Sequence, residues 1–209
     1  MYSFRNDYSE GAHPKVLQAL ADTNLRQTVG YGMDPCCQAA ADTIRRLCAA
    51  PDAAVHFLVG GTQVNLVTID AFLQSYEAVV AAQTGHVSTH ETGAIEATGH
   101  KVCTVESPDG KLTPALVESV LAGHNGTEHM VLPRMVYISD TTEIGTVYTR
   151  AELAALRQCC DVHGLFLYLD GARLGSALTF TGQSAVLEDR EQIEIVRQNF
   201  GFEPESGIR

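Results

Sequence analysis

With 209 residues and 45% apolar content spread along its length, the chain can bury a sizeable core. Its formal net charge of −11 argues against nucleic acid, because a polyanion would be repelled and no Lys/Arg cluster offsets the charge. No run of about 18 apolar residues exists to span a membrane, and residues 1–7 lack the basic region and apolar core of a secretory signal, so the cytoplasm is the expected compartment.

In chain order, residues 13–24 carry Val16, Leu17, Leu20 and Ala21 at helical spacing, with Pro14 suited to a first turn. Glycines and a proline mark residues 28–35 as a loop. Residues 38–50 place Ala41, Ile44, Leu47 and Cys48 on one helical face, and residues 55–59 read as a short buried strand. Gly60-Gly61-Thr62 follows, then a helix over 63–73 and a strand over 78–82. A His-rich loop covers 85–99, a third strand 102–105, a turn 108–110 and a helix 114–121. Strands at 135–138 and 165–169 flank a helix at 150–163. Strands alternating with helices at this spacing indicate an α/β fold with a doubly wound, mostly parallel sheet. Composition shifts after Gly182, where residues 187–198 are charged and amphipathic, so residues 1–182 are read as one domain and 183–209 as a divergent charged helical tail.

The six cysteines form two adjacent pairs, Cys36-Cys37 and Cys159-Cys160, with Cys48 and Cys103 alone. No C-x-x-C spacing occurs, so neither a zinc nor a thioredoxin reading has support. The expectation is small apolar residues in a reducing compartment, and no metal.

Three features could carry chemistry. Gly60-Gly61-Thr62 joins a predicted strand to a predicted helix, where helix N–H groups, open backbone and a hydroxyl suit a phosphate; an ordinary turn with an N-cap reads the same way. Residues 85–94 hold His86, His90 and Glu91. They could bind a metal, though no third ligand completes a zinc signature. They could instead lay an imidazole over a cofactor ring, with Glu91 or Thr92 orienting nearby groups, or form a solvated loop. Asp170 ends a buried apolar run, with Arg173 three residues on. A carboxylate at the carboxyl end of a strand stands where open α/β sheets bind cofactors. Pyridoxal phosphate is the cofactor that needs such a carboxylate, to keep its ring nitrogen protonated. The other reading is a strand-end Asp capping a turn or paired with a surface arginine.

Taken together the motifs resemble the threonine aldolase/β-eliminating lyase family of fold-type-I pyridoxal phosphate enzymes, from the first residues to about Thr181. They are Asn6-Asp7-Tyr8-Ser9-Glu10-Gly11-Ala12-His13-Pro14, Val29-Gly30-Tyr31-Gly32, Phe57-Leu58-Val59-Gly60-Gly61-Thr62-Gln63 and residues 90–102 from His90 to Val102. Thr141-Thr142-Glu143-Ile144-Gly145-Thr146 and Leu169-Asp170-Gly171-Ala172-Arg173-Leu174-Gly175 complete the set. The resemblance implies the large domain of that fold. It also implies Gly60, Gly61 and Thr62 at the cofactor phosphate, His90 stacked on the ring, Asp170 at the ring nitrogen, and Arg173 near cofactor or substrate. Of these, His90, Asp170 and Arg173 would be the catalytic residues. It further implies a homo-oligomer, with the Tyr31 loop reaching toward a neighbouring subunit's site. Family members cleave small β-hydroxy-α-amino acids such as threonine or allo-threonine to glycine and an aldehyde.

The family's Schiff-base lysine lies in a Gly-Gly-Thr-Lys segment downstream of the Asp170 motif, and no counterpart is present. The only lysines are Lys15, Lys101 and Lys111, all before Asp170. The last strands and the small carboxyl-terminal domain are likewise expected to be missing, as in a truncated or altered member. Pyridoxal phosphate is therefore expected to bind without a covalent link, and activity to be impaired. The alternatives are a non-catalytic dimerisation or regulatory fragment and a non-functional truncated product.

Overall fold

The computed structural model describes residues 3, 5–124, 126–181 and, as backbone, 193–196. The described residues divide into two compact units between Ala40 and Ala41.

In the first unit, helix α1 (Pro14–Thr23) starts on His13, whose ring Nδ1 accepts from the Lys15 N–H at 3.2 Å. None of its residues is buried. Helix α2 (Pro35–Leu47), whose residues from Ala41 on belong to the second unit, begins at Asp34, whose Oδ1 accepts the N–H groups of Cys36 and Cys37 at 2.9 and 3.0 Å, an N-cap.

The second unit holds helix α3 (Gly61–Phe72), strand β1 (Glu77–Ala82), the one-turn helices α4 (His86–Thr89) and α5 (Ala94–Ala97), and strand β2 (Lys101–Val105). Helix α6 (Pro114–Ala122), strand β3 (Leu132–Ser139), helix α7 (Arg150–His163), strand β4 (Phe166–Asp170), helix α8 (Leu174–Thr181) and strand β5 (Ile193–Val196) follow. The strands pair in the order β2-β1-β3-β4-β5, all parallel. After β1 the chain steps outward to β2 and then returns to the far side of β1 for β3. The carboxyl ends of β1 and β3 therefore border a point where the winding reverses, the place at which such sheets form a crevice.

Alternation of side chains sorts the core into two layers. Val80, Ala82, Val136, Ile138, Leu167 and Leu169 pack against Leu112, Val117, Tyr148, Leu156 and Cys160 on the α6/α7 side. Val79, Ala81, Met135, Tyr137 and Tyr168 pack against Ile69, Leu73, Val87 and Ile95 on the α3 side. Every residue of β1 is buried, and after Glu77 its sequence runs continuously apolar rather than alternating. Helix α7 is bounded by a capping box between Thr149 and Glu152 and by Gly164, a left-handed cap with φ 65°.

Two expectations change. Residues 55–59 are not a strand: neither sheet edge pairs with them, and Phe57, Leu58 and Val59 are exposed by 48, 38 and 93%. A run with no ladder partner among the described residues has its backbone groups to satisfy elsewhere, and the Val59 N–H goes to Gln63 Oε1 at 2.9 Å. Of the charged tail read as helical, Ile193–Val196 forms β5 against β4, and the rest lies outside the described residues. Cys48, Cys103, Cys159 and Cys160 are buried, as small apolar residues would be, but Cys36 is exposed; all six are free thiols. Among the described residues no helix is long and apolar enough to cross a membrane.

Candidate active site

Register alone brings Asp170 to the reversal point. On β4 it shares a face with Tyr168, the α3 side, and on β3 its partner is Ser139. Its side chain is buried and accepts three hydrogen bonds: Asn65 Nδ2 at 3.2 Å and Tyr137 Oη at 2.7 Å on Oδ2, and the Ala172 N–H at 3.0 Å on Oδ1. A carboxylate offers about four acceptor positions. One remains.

Asn65 links this carboxylate to a second. Its Nδ2 also donates to Glu91 Oε1 at 2.5 Å, while its Oδ1 accepts from Tyr168 Oη at 2.5 Å. Carboxylates only accept, and burial together with the Asp170 charge pushes both tyrosine phenols well up in pKa, so each tyrosine stays a donor. That fixes which way the Asn65 amide faces. Glu91 Oε1 also pairs with His86 Nδ1 at 2.8 Å. Glu91 Oε2 is buried with no hydrogen-bond partner among the described residues, a cost a native site carries for a reason.

His86 is the first residue of α4, directly beyond β1. Its pKa is raised, chiefly by the hydrogen bond to Glu91, against burial, with further help from the charges of Glu91, Asp170 and Glu143. Glu143 fixes the backbone there: its Oε1 accepts the His86 N–H at 2.8 Å and Ser139 Oγ at 2.6 Å. Immediately after Glu91 the chain turns through two left-handed residues, Thr92 at φ 52° and Gly93 at φ 76°. The glycine adopts that conformation at no steric cost, and the β-branched threonine does not.

The expected phosphate residues open α3. Gly60 caps it in an extended conformation, and the first intrahelical bond runs from the Val64 N–H to Gly60 O. The amides of Gly61, Thr62 and Gln63 thus precede the helix's own ladder, and a side chain added at Gly60 would meet nothing within 4 Å. The approach is open to an anion. Thr62 is exposed and lies three residues before Asn65, about 4.5 Å along the helix axis. One helix therefore presents an end with open amides and, a turn later, the amide that bonds to Asp170. These residues fit a ligand with a phosphate at one end and a protonated ring nitrogen at the other.

The structure brings together Asp170 and the α3 start, and it adds residues that sequence reasoning missed: Asn65, Tyr137, Tyr168 and the backbone-anchoring Glu143. An asparagine buried in the apolar run of α3 was the available signal. His90 is exposed at the end of α4, its ring 5.5 Å from that of His86; His86 is the imidazole bonded into the Asp170 network. Arg173 lies on the exposed turn before α8. In the other unit Tyr31 is fully exposed with φ 63°. Lys101 opens β2 at the amino end of the sheet, away from Asp170. Lys111 pairs with Glu152 Oε1 at 2.6 Å, and Lys15 lies on α1 in the other unit.

A family model described as Beta-eliminating lyase matches residues 4–193, past the point where the motif resemblance ends. The low specificity L-threonine aldolase of Pseudomonas aeruginosa is 36% identical over 183 residues, 87% of this chain and 52% of that protein. The Saccharomyces cerevisiae protein of the same name is 28% identical over 181 residues, 85% of this chain and 46% of its own length. A solved structure of Leishmania major threonine aldolase matches with a TM-score of 0.84 and 56% identity, covering 86% of this chain and 52% of that one. The aspartate aminotransferase of Rhizobium meliloti, at 17% identity, TM-score 0.62 and 78% against 41% coverage, shares the fold. The chain spans about half the length of the curated relatives it matches. The sheet is thus the large-domain sheet of the fold-type-I enzymes, and the chain belongs to the beta-eliminating lyase/threonine aldolase family.

Proposed function

We propose that this chain carries the pyridoxal phosphate-binding half-site of a threonine aldolase-type carbon–carbon lyase. The observation that carries the reading is the Asp170 carboxylate, buried at the sheet's carboxyl end and, among the described residues, held by three donors with one acceptor position left. Asp170 would hold a proton on the ring nitrogen, and the amides of Gly61 and Thr62, beside the open backbone of Gly60, would bind the phosphate. Between the two histidines, His86 suits the ring-covering role, because Glu91 anchors its Nδ1 and keeps it charged to higher pH. His90 and Arg173, both exposed, would border the substrate side. When bound, the cofactor supplies the electron sink for breaking the Cα–Cβ bond of threonine or allo-threonine, giving glycine and acetaldehyde.

Neither Lys101 nor Lys111 is bonded into the Asp170 network, and Lys15 falls in no motif that the resemblance ties to the cofactor. By itself the 209-residue chain would therefore hold pyridoxal phosphate through phosphate, ring and Asp170 contacts without a covalent bond, and cleave substrate slowly or not at all. We further infer a cytoplasmic protein that associates with copies of itself through the region of Tyr31. The test is an absorbance titration with pyridoxal phosphate, followed by borohydride reduction and intact mass. A saturable band with no mass increase is expected. A covalent adduct on Lys15, Lys101 or Lys111 would overturn the non-covalent reading, and no spectral change would overturn cofactor binding.

A further inference from the structure

At the other end of the sheet, α6 and α7 pack over the same sheet face, and three side chains meet between them. Cys159 and His163 are four residues apart and so share one face of α7. Glu118 reaches them from α6. The Cys159 Sγ, a His163 ring nitrogen and a Glu118 carboxylate oxygen all lie within 4.8 Å of one another. His163 Nε2 stands 3.8 Å from Glu118 Oε1, with side-chain exposures of 36 and 59%. Cys159 is buried at the rim of the core, and the cluster opens to solvent through the other two residues.

A last-turn histidine facing a glutamate is by itself an ordinary surface ion pair that stabilises little. The thiol as third member is what an ion pair does not need and a borderline-soft metal does. We propose that Glu118, Cys159 and His163 form a divalent transition-metal site, best suited to zinc, that ties α6 to the last turn of α7. One sulfur, one imidazole nitrogen and one carboxylate oxygen are all zinc ligands, and three protein ligands leave the fourth tetrahedral position to water. Calcium and magnesium take oxygen ligands, and a single cysteine cannot hold an iron–sulfur cluster. Bond lengths of about 2.0–2.3 Å at tetrahedral angles place ligand atoms about 3.3–3.7 Å apart. Closing from the present separations takes about an ångström, which rotamer changes of the exposed Glu118 and His163 supply while Cys159 stays fixed. Binding converts the thiol to a thiolate and releases its proton to solvent. The motif escapes a scan for paired cysteines because it is a single C-x-x-x-H on a helix, completed by a carboxylate 41 residues earlier.

Cobalt(II) is the probe, titrated into the 209-residue chain under a non-thiol reductant. The expected result is one equivalent bound, with a near-ultraviolet sulfur-to-cobalt charge-transfer band and tetrahedral visible bands, both displaced by zinc. Cys159→Ser is expected to abolish the charge-transfer band. Loss of a second-shell partner alone costs about 10–100-fold in affinity, so His163→Gln and Glu118→Gln should each weaken binding by about 100-fold or more. These two sit on the surface, which keeps the test sound if Cys159→Ser folds poorly. The double variant Cys36→Ser/Cys37→Ser should keep the full signal. No charge-transfer band, a band that survives Cys159→Ser, or one lost with Cys36 and Cys37 would overturn the site.

Discussion

Residues 55–59 and 165–169 look alike in the sequence: five mostly apolar residues running into a glycine-bearing turn. The second becomes β4, buried between β3 and β5, with Leu167 and Leu169 in the core and Tyr168 on the opposite face. The first stays irregular, with Val59 almost fully exposed. Strand character thus comes from neighbours that accept the ladder and cover the faces, and only weakly from local preference. It also decides what each glycine turn can do. At the end of β4 the sheet aims Asp170 by register, whereas α3 starts with no strand behind it.

The largest expected effect sharpens that contrast. Leu167→Ala removes a side chain 2% exposed in the α6/α7 layer and should cost about 2–5 kcal/mol in urea unfolding, while Val59→Ala should change stability by less than about 0.5 kcal/mol. Equal losses at the two sites would mean that residues 55–59 are packed after all. Next is Asn65→Ala, which strips a donor from Asp170 and Glu91 and an acceptor from Tyr168. About 2–3 kcal/mol of stability should go, together with most of the affinity for pyridoxal phosphate, read by the same unfolding curve and by absorbance titration.

Asp140 tests the other side of the reversal point. It is buried beside the end of β3, its backbone N–H bonded to Asp170 O at 3.0 Å, and burial raises its pKa from 3.8 to about 6. A carboxyl that holds its proton more tightly when folded favours the folded state at low pH. Stability therefore falls as pH rises from about 4 through about 6, and the deficit persists above. Asp140→Asn should add about 2 kcal/mol at pH 8 and nothing at pH 4, seen in melting curves at the two values. His86 has the opposite chemistry and a smaller effect. Its raised pKa means the Glu91 pair stabilises fully below 6.5 and the gain fades as pH climbs through the higher folded value. With the side chain 40% exposed, the difference between the chain and His86→Asn should stay below about 1 kcal/mol, followed by the imidazole proton shifts in NMR.

The legible parts of the fold were those whose signals are local. Helix α7 lies at 150–163 as read, because Thr149, Glu152 and Gly164 fix both ends. Strands β1 to β4 are apolar runs between turn residues, and Asp170 ends one of them. Residues 193–196 escaped because Ile193-Glu194-Ile195-Val196 sits inside a charged stretch and is drawn into the sheet by pairing with β4. The candidate site's contiguous motifs, Gly60-Gly61-Thr62 and Asp170, stand out in the sequence. The site was hidden where partners come from three elements: Asn65, Glu91 and Tyr137 are 26 to 46 residues apart along the chain, counted from Asn65 to Glu91 and Glu91 to Tyr137. Two histidines four residues apart on a loop give no clue to which one faces Glu91.

The most direct measurement is nitrogen-15 NMR of ring-labelled pyridoxal phosphate bound to the chain and to Asp170→Asn. The expected result is a protonated-ring shift in the first, moving to the neutral-pyridine position in the second while the phosphate end still binds. A neutral ring nitrogen in the unaltered chain, or the same shift in both proteins, would contradict Asp170 as the partner of the ring nitrogen.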